Sequence, residues 1–215
     1  MSDTLIKNNI MKISYAITVC NEIKEIKQLV SFLLKHKRKQ DEIVVLMDEN
    51  GTQEVNDFLL DSVGKIKIAK FLFNKDFSAF KNHLNSLCSG DYIFNIDADE
   101  IPSETLVKNL PQIIELNPDI IAYAVPRVNI VVGLTQEHIQ QWGWNVNEKG
   151  WVNYPDYQSR IYKNDPEIFW ERKVHERLNT WEDTQPLPME TEDWVLYHPK
   201  DIARQEKQNA LYNTI

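Results

Sequence analysis

The sequence has few of the features that mark membrane, secreted and nucleic-acid-binding proteins. No apolar run among its 215 residues approaches the roughly 20 residues that are needed to cross a bilayer. The two cysteines, Cys20 and Cys88, lack metal-ligand spacing, which predicts reduced thiols near the core rather than a disulfide. The formal net charge of -8 opposes binding to a phosphate backbone, so no nucleic-acid partner is expected.

The start of the chain also lacks the apolar centre of a secretory signal. We therefore expect residues 1–11 to form a disordered leader and the protein to be cytoplasmic. The content of 42% hydrophobic and 26% charged residues is that of an ordinary globular protein. Residues 12–215 are numerous enough for a single domain with a full core.

Apolar runs and helical periodicities alternate along the first half of the sequence. Four strands are predicted, at residues 13–19, 43–47, 66–73 and 92–96. Segments with apolar residues at helical spacing separate these strands, and Asn21 is the predicted N-cap of the first helix. Strands joined by helices favour a mostly parallel sheet with helices on both faces, which is an α/β fold.

The alternation ends after a predicted helix at residues 103–116 and a strand at 120–128. Residues 140–157 are rich in Trp, Gly and Asn, which predicts a long loop. The tryptophan faces of this loop either bind a sugar ring or a peptide, or are buried under the sheet. Two antiparallel strands at residues 159–163 and 168–170 and a final amphipathic helix complete the prediction.

Three carboxylates follow the fourth predicted strand, in Asp97, Asp99 and Glu100. Crowded carboxylates repel one another, and Mg²⁺ or Mn²⁺ bound among them relieves the repulsion. Alternate residues of an extended chain point the same way, so Asp97 and Asp99 can face one ion while Ala98 faces away. The other interpretation is a solvated turn that caps the next helix.

Polar side chains also follow the first two strands. Thr18, Asn21 and Glu22 end the first strand, and Asp48 ends the second. Ligands of parallel sheets bind beyond the carboxyl ends of the strands, because the loops and helix N-termini converge there. Taken one at a time, these residues are equally well explained as caps or turns. Together with the carboxylates after the fourth strand, they predict a cleft along one sheet edge.

The order of these motifs resembles the family-2 glycosyltransferases of the GT-A fold, over about residues 12–198. The resemblance is carried by Thr-x-x-Asn-Glu from Thr18, the Asp-rich turn from Asp48, the stretch 77–82, the Asp-x-Asp pair and the later Val174-His175-Glu176. It implies a single GT-A (Rossmann-like) domain with a mostly parallel central sheet and a small antiparallel C-terminal portion. In it, residues 12–100 would be the nucleotide-binding half and residues 101–215 the acceptor-binding half.

The resemblance also implies an activity and a donor site. Such enzymes carry out metal-dependent, inverting transfer of a sugar from a nucleotide diphosphate, here UDP for preference, to a hydroxyl on a glycan, lipid-linked or protein acceptor. Thr18 and Glu22 would line the base pocket, and Asp48 would accept hydrogen bonds from the base or ribose. Lys81, in place of a frequent Arg, would face the diphosphate. Asn21, Asn82 and Ala98 are assigned to the same donor site.

The resemblance further implies a Mn²⁺ or Mg²⁺ ion and a general base. Asp99 would bind the ion, and Asp97 would contact the ribose or the ion. His175 would hold the diphosphate or bind the ion, and His198 competes with it for the place of the third ligand; either is otherwise a hydrogen-bonded polar residue. Glu100 would cap the next helix or orient the acceptor. Glu176 is the expected base, since partial burial or nearby negative charge would raise its pKa toward neutrality. Glu192 and Asp193 are the alternative bases.

Two rival functions stay open at this point. A nucleotidyltransferase also places a metal at an acidic strand end, but it usually has a glycine-rich basic loop after the first strand, and residues 18–22 contain no glycine. A catalytically silent module with the same fold would recognise a carbohydrate or a protein through the Trp-rich loop. The joint presence of Asp97, Asp99, Glu176 and His198 favours catalysis, because a silent module has no chemical need for this set.

Overall fold

Strands and helices alternate through the first half of the protein, as predicted. A computed structural model describes residues 11–212. The elements up to residue 116 are β1 (Ile13–Val19), α1 (Ile23–His36), β2 (Glu42–Asp48), α2 (Gln53–Asp61), β3 (Lys67–Phe71), α3 (Phe77–Leu87), β4 (Tyr92–Asp97), β5 (Ile101–Pro102) and α4 (Glu104–Leu116). The expected leader lies outside the described residues except for Met11, whose carbonyl accepts a hydrogen bond from Arg38.

The second half of the chain is less regular and contains shorter strands. Its elements are β6 (Ala122–Val132), α5 (Gln136–Trp142), β7 (Tyr157–Lys163), β8 (Trp170–Glu171), β9 (Arg177–Leu178), β10 (Gln185–Pro186), β11 (Leu196–Asp201) and α6 (Ile202–Tyr212). Single 3-10 turns lie at Trp181–Asp183 and Glu192–Trp194.

One large sheet runs through the molecule in the order β3-β2-β1-β4-β7-β6-β11-β5, with β10 beside β6. The strands from β3 to β4 are parallel, as is the β6–β11 pair, whereas β7 is antiparallel to both of its neighbours. Strands β8 and β9 form a separate antiparallel hairpin. This arrangement confirms the prediction of a mostly parallel central sheet with a small antiparallel portion.

The sheet is covered on both faces, because successive side chains along its strands pack into two different apolar clusters. In β1, Tyr15 and Ile17 pack on one face with α1, α2 and α4, and Ala16 packs on the other with α3 and the β8–β9 hairpin. Successive side chains of a strand point to opposite faces, which explains the split. The carboxyl ends of β1, β2 and β4 are left between these two layers, and the polar residues that follow them meet there.

Some local predictions are wrong. Asn21 is not the N-cap of α1, since the helix begins after Glu22, whose carboxylate instead accepts from the backbone N–H groups of Cys20 and Asn21. The predicted long loop begins inside α5, which Thr135 starts with a capping box. Strand β11 lies in a stretch for which no strand is predicted.

The structure bears on two expectations for the whole chain, those for the cysteines and for membrane spans. Cys20 and Cys88 are both free and partly buried, as expected for reduced thiols near the core. Burial raises the pKa of the Cys88 thiol to about 12. Over residues 11–212, no helix combines the length and the apolar character that a membrane crossing requires.

An acid-sensitive contact lies at the amino-terminal edge of the sheet, around Glu42. Its carboxylate accepts from Ser14 at 2.6 Å and from Lys67 at 2.6 Å. Burial alone would raise the pKa of Glu42, but the hydrogen bonds from Lys67, Ser14, Ser89 and Lys12 outweigh it and lower the pKa from 4.5 to about 2. A carboxylate with a depressed pKa in the folded state stabilises the fold above its unfolded pKa, and this stabilisation is lost as the pH falls.

Glu42→Gln is therefore expected to reduce the loss of stability between pH values of about 4.5 and about 2. Urea unfolding at a series of pH values measures this dependence for wild type and variant. Glu148→Gln, at an exposed loop position, is the matched control and should leave the dependence as in the wild type. Equal acid sensitivity of the wild type and Glu42→Gln would contradict the assignment.

Candidate active site

The polar ends of β1, β2 and β4 form the floor of a cleft. Thr18 on β1 lies in register with Asp97 on β4, and its hydroxyl donates to Asp97 Oδ1 at 3.4 Å. Asp48 ends β2 next to them and is buried. The predicted convergence of these side chains at one sheet edge therefore holds for Thr18, Asp48 and Asp97.

Asp97 is surrounded by cationic groups. Its Oδ2 accepts from Arg160 Nη2 at 2.5 Å, and its Oδ1 lies 3.5 Å from Lys81 Nζ. Burial raises the pKa of Asp97, but the charges of Arg160 and Lys81 outweigh burial and hold this pKa well below its usual range. Asp97 is thus a stable anion whose two oxygens already have partners on the chain.

Glu100 is fully buried and closes the turn that carries the Asp-x-Asp pair. Its Oε2 accepts from Asp97 N at 3.1 Å, and its own N–H donates to Asp97 O at 2.9 Å. Its Oε1 accepts from Arg160 at 2.7 Å and Arg127 at 3.2 Å. Glu100 therefore neither caps α4, a role that Ser103 fills, nor faces an acceptor.

Asp99 points to a different set of partners from Asp97. Its Oδ2 lies 3.1 Å from His198 Nε2 and 3.1 Å from Arg204 Nη2. Burial raises the pKa of Asp99, but a protonated His198, through its hydrogen bond and its charge, and the charge of Arg204 hold this pKa below its usual range. Of the two histidines expected to compete for an ion, His198 is therefore the one placed beside Asp99.

The tautomer of His198 follows from its other neighbour, Asn129, which lies in register with it across the β6–β11 pair. Asn129 Nδ2 donates to Asp156 Oδ2 at 2.7 Å and to Val152 O at 3.3 Å. Both of these groups only accept, so the amide oxygen of Asn129 is the atom that faces His198 Nδ1, at 2.8 Å. Nδ1 therefore donates, and Nε2 faces Asp99.

The chemistry of this pair fits a divalent cation. A neutral His198 directs an Nε2 lone pair at the Asp99 carboxylate 3.1 Å away, and two facing acceptors repel. A second ring proton or a cation bound to both groups removes the repulsion. The carboxylate suits Mn²⁺ or Mg²⁺, and the imidazole suits transition-metal ions. Arg204 Nη2 lies 3.1 Å from the same Asp99 oxygen, so a bound ion would take the place of this guanidinium. Within residues 11–212, no group of three or more His, Cys, Asp or Glu side chains could hold an ion. Further ligands would therefore have to come from a bound molecule or water.

The expected base and the expected phosphate-binding cation are in direct contact. Lys81 Nζ lies 2.7 Å from Glu176 Oε1 and 4.6 Å from the ring centre of Trp170. Only 4% of the Lys81 side chain is exposed, compared with 18% of Glu176. The group that contacts Glu176 is thus a cation, not the negative charge that we expected to raise its pKa.

The β8–β9 hairpin presents Glu176 to the cleft. Its turn holds two non-glycine residues with left-handed backbone, Arg172 at φ 73° and His175 at φ 52°, an uncommon conformation that local contacts must maintain. Phe77 N donates to Lys173 O at 2.9 Å, which ties the turn to the start of α3. His175 itself is exposed, whereas His198 is buried next to Asp99.

Asn82 holds the same hairpin from α3. Its Oδ1 accepts from Trp170 N and its Nδ2 donates to Trp170 O, both at 2.8 Å. The amide thus pairs with both backbone groups of Trp170, as a strand neighbour would. Asn82 therefore orients the hairpin, although the sequence places it with the donor-binding residues. Ala98 packs into the apolar core.

The expected base-pocket residues are partly engaged by the protein. Asp48 Oδ1 accepts from the backbone of Asn50 and Phe73, at 3.1 and 3.2 Å, and its Oδ2 faces Cys20 Sγ at 3.7 Å. Glu22 turns one oxygen to its own loop, and its other oxygen lies 3.4 Å from Arg204. A groove of about 390 Å³ passes along this side, lined among others by Asn21, Glu22, Glu25 and Arg204.

The Trp-rich segment divides between the surface and the interior. Trp142 and Trp144 contact each other with ring centres 4.7 Å apart and are partly exposed. Trp151 is buried, and Lys149 Nζ covers its ring at 4.4 Å. Burial therefore holds for Trp151, whereas binding of a sugar ring or a peptide by Trp142 and Trp144 stays a prediction.

Sequence reasoning missed four polar residues of the site: Arg127, Asn129, Arg160 and Arg204. Arg160 was the most accessible to prediction, because it lies on a predicted strand next to apolar residues. An arginine on a strand is usually exposed, however, and only the position of β7 beside β4 buries this one. Arg127 and Asn129 lie on β6, which was predicted to end at residue 128 but continues to Val132.

Known proteins share this sequence pattern and this fold. Residues 14–184 match the family described as Glycosyl transferase family 2. Among solved structures, the protein is similar to S. aureus TarS 1-349 in complex with UDP-GlcNAc, with a TM-score of 0.59 and 15% identity over 88% of this chain and 59% of that chain. The same fragment with UDP gives a TM-score of 0.52 at 14% identity, over 89% and 61% of the two chains.

The protein is also similar to a longer form of S. aureus TarS, of which it covers a smaller share. For S. aureus TarS the TM-score is 0.55 at 14% identity, over 87% of this chain and 35% of that chain. At such identities the likeness shows a common fold, which confirms the GT-A prediction. The family match covers well over half of the sequence, including the Asp-x-Asp pair and Glu176. The chain therefore belongs to glycosyl transferase family 2.

Proposed function

We propose that the protein transfers a sugar from a UDP-sugar to a hydroxyl acceptor, with inversion at the sugar carbon and with Mn²⁺ or Mg²⁺ bound. The observation that carries the proposal is the meeting of two pairs at one cleft, Asp99 with His198 and Lys81 with Glu176. Family membership favours glycosyl transfer over nucleotidyl transfer. The UDP-GlcNAc and UDP complexes of TarS, on the same fold, support UDP as the nucleotide.

Donor binding is assigned to the ends of β1, β2 and β4. Among the described residues, the weak donor Cys20 Sγ is the only side-chain partner of Asp48 Oδ2, so this oxygen can accept from the base or ribose. Thr18 and Asp97 lie beside it in register. Asp99 and His198 would hold the divalent cation, which would supply positive charge next to the diphosphate.

Lys81 supports the leaving group from the cleft floor. Its ammonium lies between Asp97 and Glu176, at 3.5 and 2.7 Å, in a site that excludes most solvent. Electrostatic stabilisation is stronger where water is excluded. The ammonium would offset the negative charge that develops on the diphosphate as the sugar leaves.

Glu176 acts as the base. Its carboxylate accepts the proton of the acceptor hydroxyl while that oxygen forms its bond to the anomeric carbon. The bond between the anomeric carbon and the diphosphate oxygen breaks, and the diphosphate leaves with the electron pair. Attack from the face opposite the leaving group inverts the configuration at the carbon.

Calorimetric titration of UDP into the protein, with Mn²⁺ and then with excess chelator, tests the donor site. We expect a Kd in the micromolar range with Mn²⁺ and a large loss of affinity on chelation, with GDP as the comparison nucleotide. Asp99→Ala is expected to abolish the chelator-sensitive part of the binding, because it removes one of two protein ligands of the ion. Asp119→Ala, at an exposed position, should bind UDP as the wild type does.

Equal affinity of the wild type and Asp99→Ala would overturn the metal assignment while leaving the UDP assignment intact. If neither nucleotide binds under any metal condition, the transferase proposal itself fails. A silent module that recognises carbohydrate or protein would then be the better description.

A further inference from the structure

A chain of buried polar contacts joins the two aspartates of the Asp-x-Asp pair by a long route through the sheet. Arg160 contacts Asp97 and Glu100, and Glu100 contacts Arg127. The route continues through Arg127–Asp156, Asp156–Asn129, Asn129–His198 and His198–Asp99, at 2.7, 2.7, 2.8 and 3.1 Å. Three neighbouring strands, β7, β6 and β11, contribute to it.

The second half of this route has a fixed direction of donors and acceptors. Asp156 Oδ2 accepts from Arg127 Nη2 and Nε, at 2.7 and 2.9 Å, as well as from Asn129 Nδ2. Its Oδ1 accepts from Gln158 Nε2 at 3.1 Å. Because Asp156 Oδ2 already faces donors, only an acceptor can stand at this position. Asp156 therefore determines that the amide nitrogen of Asn129, and not its oxygen, faces it. That orientation in turn presents the amide oxygen to His198.

We propose that Asn129 and Asp156 are positioning residues, which hold His198 with its proton on Nδ1 and its Nε2 directed to Asp99 as a cation ligand. Neither residue contacts the reacting atoms in this assignment. Both act through His198, in the way that outer-shell partners orient metal-ligating histidines in general. The inference rests on the proposed function, because that function supplies the cation which the Asp99–His198 pair would hold.

The alternative is a purely structural role for the same contacts. Asn129 is 8% exposed, and its amide also bonds to the Val152 carbonyl, so its loss would lower stability in either case. The two roles differ in what else changes. A structural role alone predicts no preferred ring nitrogen for the proton of His198 and no specific change in cation affinity.

The test uses two readouts, the ¹⁵N shifts of the His198 ring and the affinity for Mn²⁺ with and without UDP. The ring shifts are recorded on metal-free protein at a pH where the imidazole is uncharged, and a His198→Gln spectrum assigns the signals among the five histidines. We expect the wild type to carry the proton on Nδ1. Asn129→Leu is expected to move the proton to Nε2 and to weaken Mn²⁺ binding by about 10- to 100-fold.

A conservative change of Asp156 supplies the rescue. In Asp156→Asn, the new amide oxygen takes the place of Oδ2 and still accepts from Arg127 and from Asn129 Nδ2, while Gln158 can turn its amide oxygen to the new NH₂ group. We expect this variant to keep the Nδ1 proton and most of the Mn²⁺ affinity. Asn85→Leu is the matched control, since it removes a side-chain hydrogen bond to Tyr162 on another part of the fold and should change neither readout.

The outcomes separate this proposal from the proposed function. A wild type with its proton on Nε2, or an Asn129→Leu variant that binds Mn²⁺ as tightly as wild type, overturns the positioning role alone. A wild type that binds no Mn²⁺ with or without UDP overturns the metal assignment of the proposed function, and the positioning role with it. If Asn129→Leu does not fold, Asp156→Asn decides, because this variant keeps an acceptor for Asn129 Nδ2, and loss of the Nδ1 proton in it contradicts the proposal.

Discussion

Replacement of Glu176 by Gln is expected to lower the rate of sugar transfer by about 10²- to 10⁴-fold, the usual contribution of a general base. Gln keeps the size and shape of the side chain but cannot take a proton from the acceptor hydroxyl. Donor binding should be retained, because the UDP site is assigned to other residues. Single-turnover transfer from a UDP-sugar, with UDP affinity measured in parallel, separates the two effects.

Glu176→Gln also removes the ion pair with Lys81, so a control is needed for the loss of an ion pair. Glu171→Gln removes a carboxylate from the same hairpin, where it pairs with Arg177 at 2.7 Å on the surface, and should transfer sugar at the wild-type rate. Undiminished transfer by Glu176→Gln would move the base to another carboxylate, with Glu192 and Asp193 the first to examine. Both are exposed in a 3-10 turn, so neither has the partial burial of Glu176.

Replacement of Arg160 by Ala is expected to lower the free energy of unfolding by about 3–5 kcal/mol, the usual effect of removing one partner of a buried ion pair. Only 3% of the Arg160 side chain is exposed, and it contacts both Asp97 and Glu100. Without it, the fully buried Glu100 keeps Arg127 as its cationic partner, at 3.2 Å. Urea unfolding monitored by circular dichroism measures the change.

Arg177→Ala provides the comparison for an exposed pair. Arg177 and Glu171 are 34% and 37% exposed, and such pairs contribute roughly 0–1 kcal/mol. A loss for Arg160→Ala no larger than that for Arg177→Ala would contradict the buried network as a source of stability. Unfolding midpoints should be compared only if the two variants keep the denaturant dependence of the wild type.

The first half of the fold could be predicted because its strands are continuous apolar runs. Strand β2, for example, is buried along nearly its whole length. A short apolar run of this kind, with helical spacing on either side, is typical of a buried parallel strand. The Asp-x-Asp pair was predictable for the same reason, since it directly follows the buried strand β4. In both cases the signal is local in sequence.

The partners of these aspartates could not be predicted in the same way. Strand β11 contains His198, Pro199, Lys200 and Asp201, so its sequence lacks a clear apolar alternation. Its pairing with β6 and β5 makes it a strand. His198 was a candidate from its residue type, but its neighbour Asn129 is identified by register, which depends on tertiary structure. The cationic environment of Glu176 was missed because Lys81 was assigned to the diphosphate alone.

The parallel pairing of β6 with β11 has a consequence for synthesis of the protein. Asp99 and His198 are 99 positions apart, and Arg204 follows later still. During translation, the acidic turn after β4 therefore leaves the ribosome well before the two partners of Asp99. Domains begin to fold while they are being made, so the nascent protein holds an acidic turn without these partners. The Asp99–His198 pair of the cleft can form only after residue 198 has emerged.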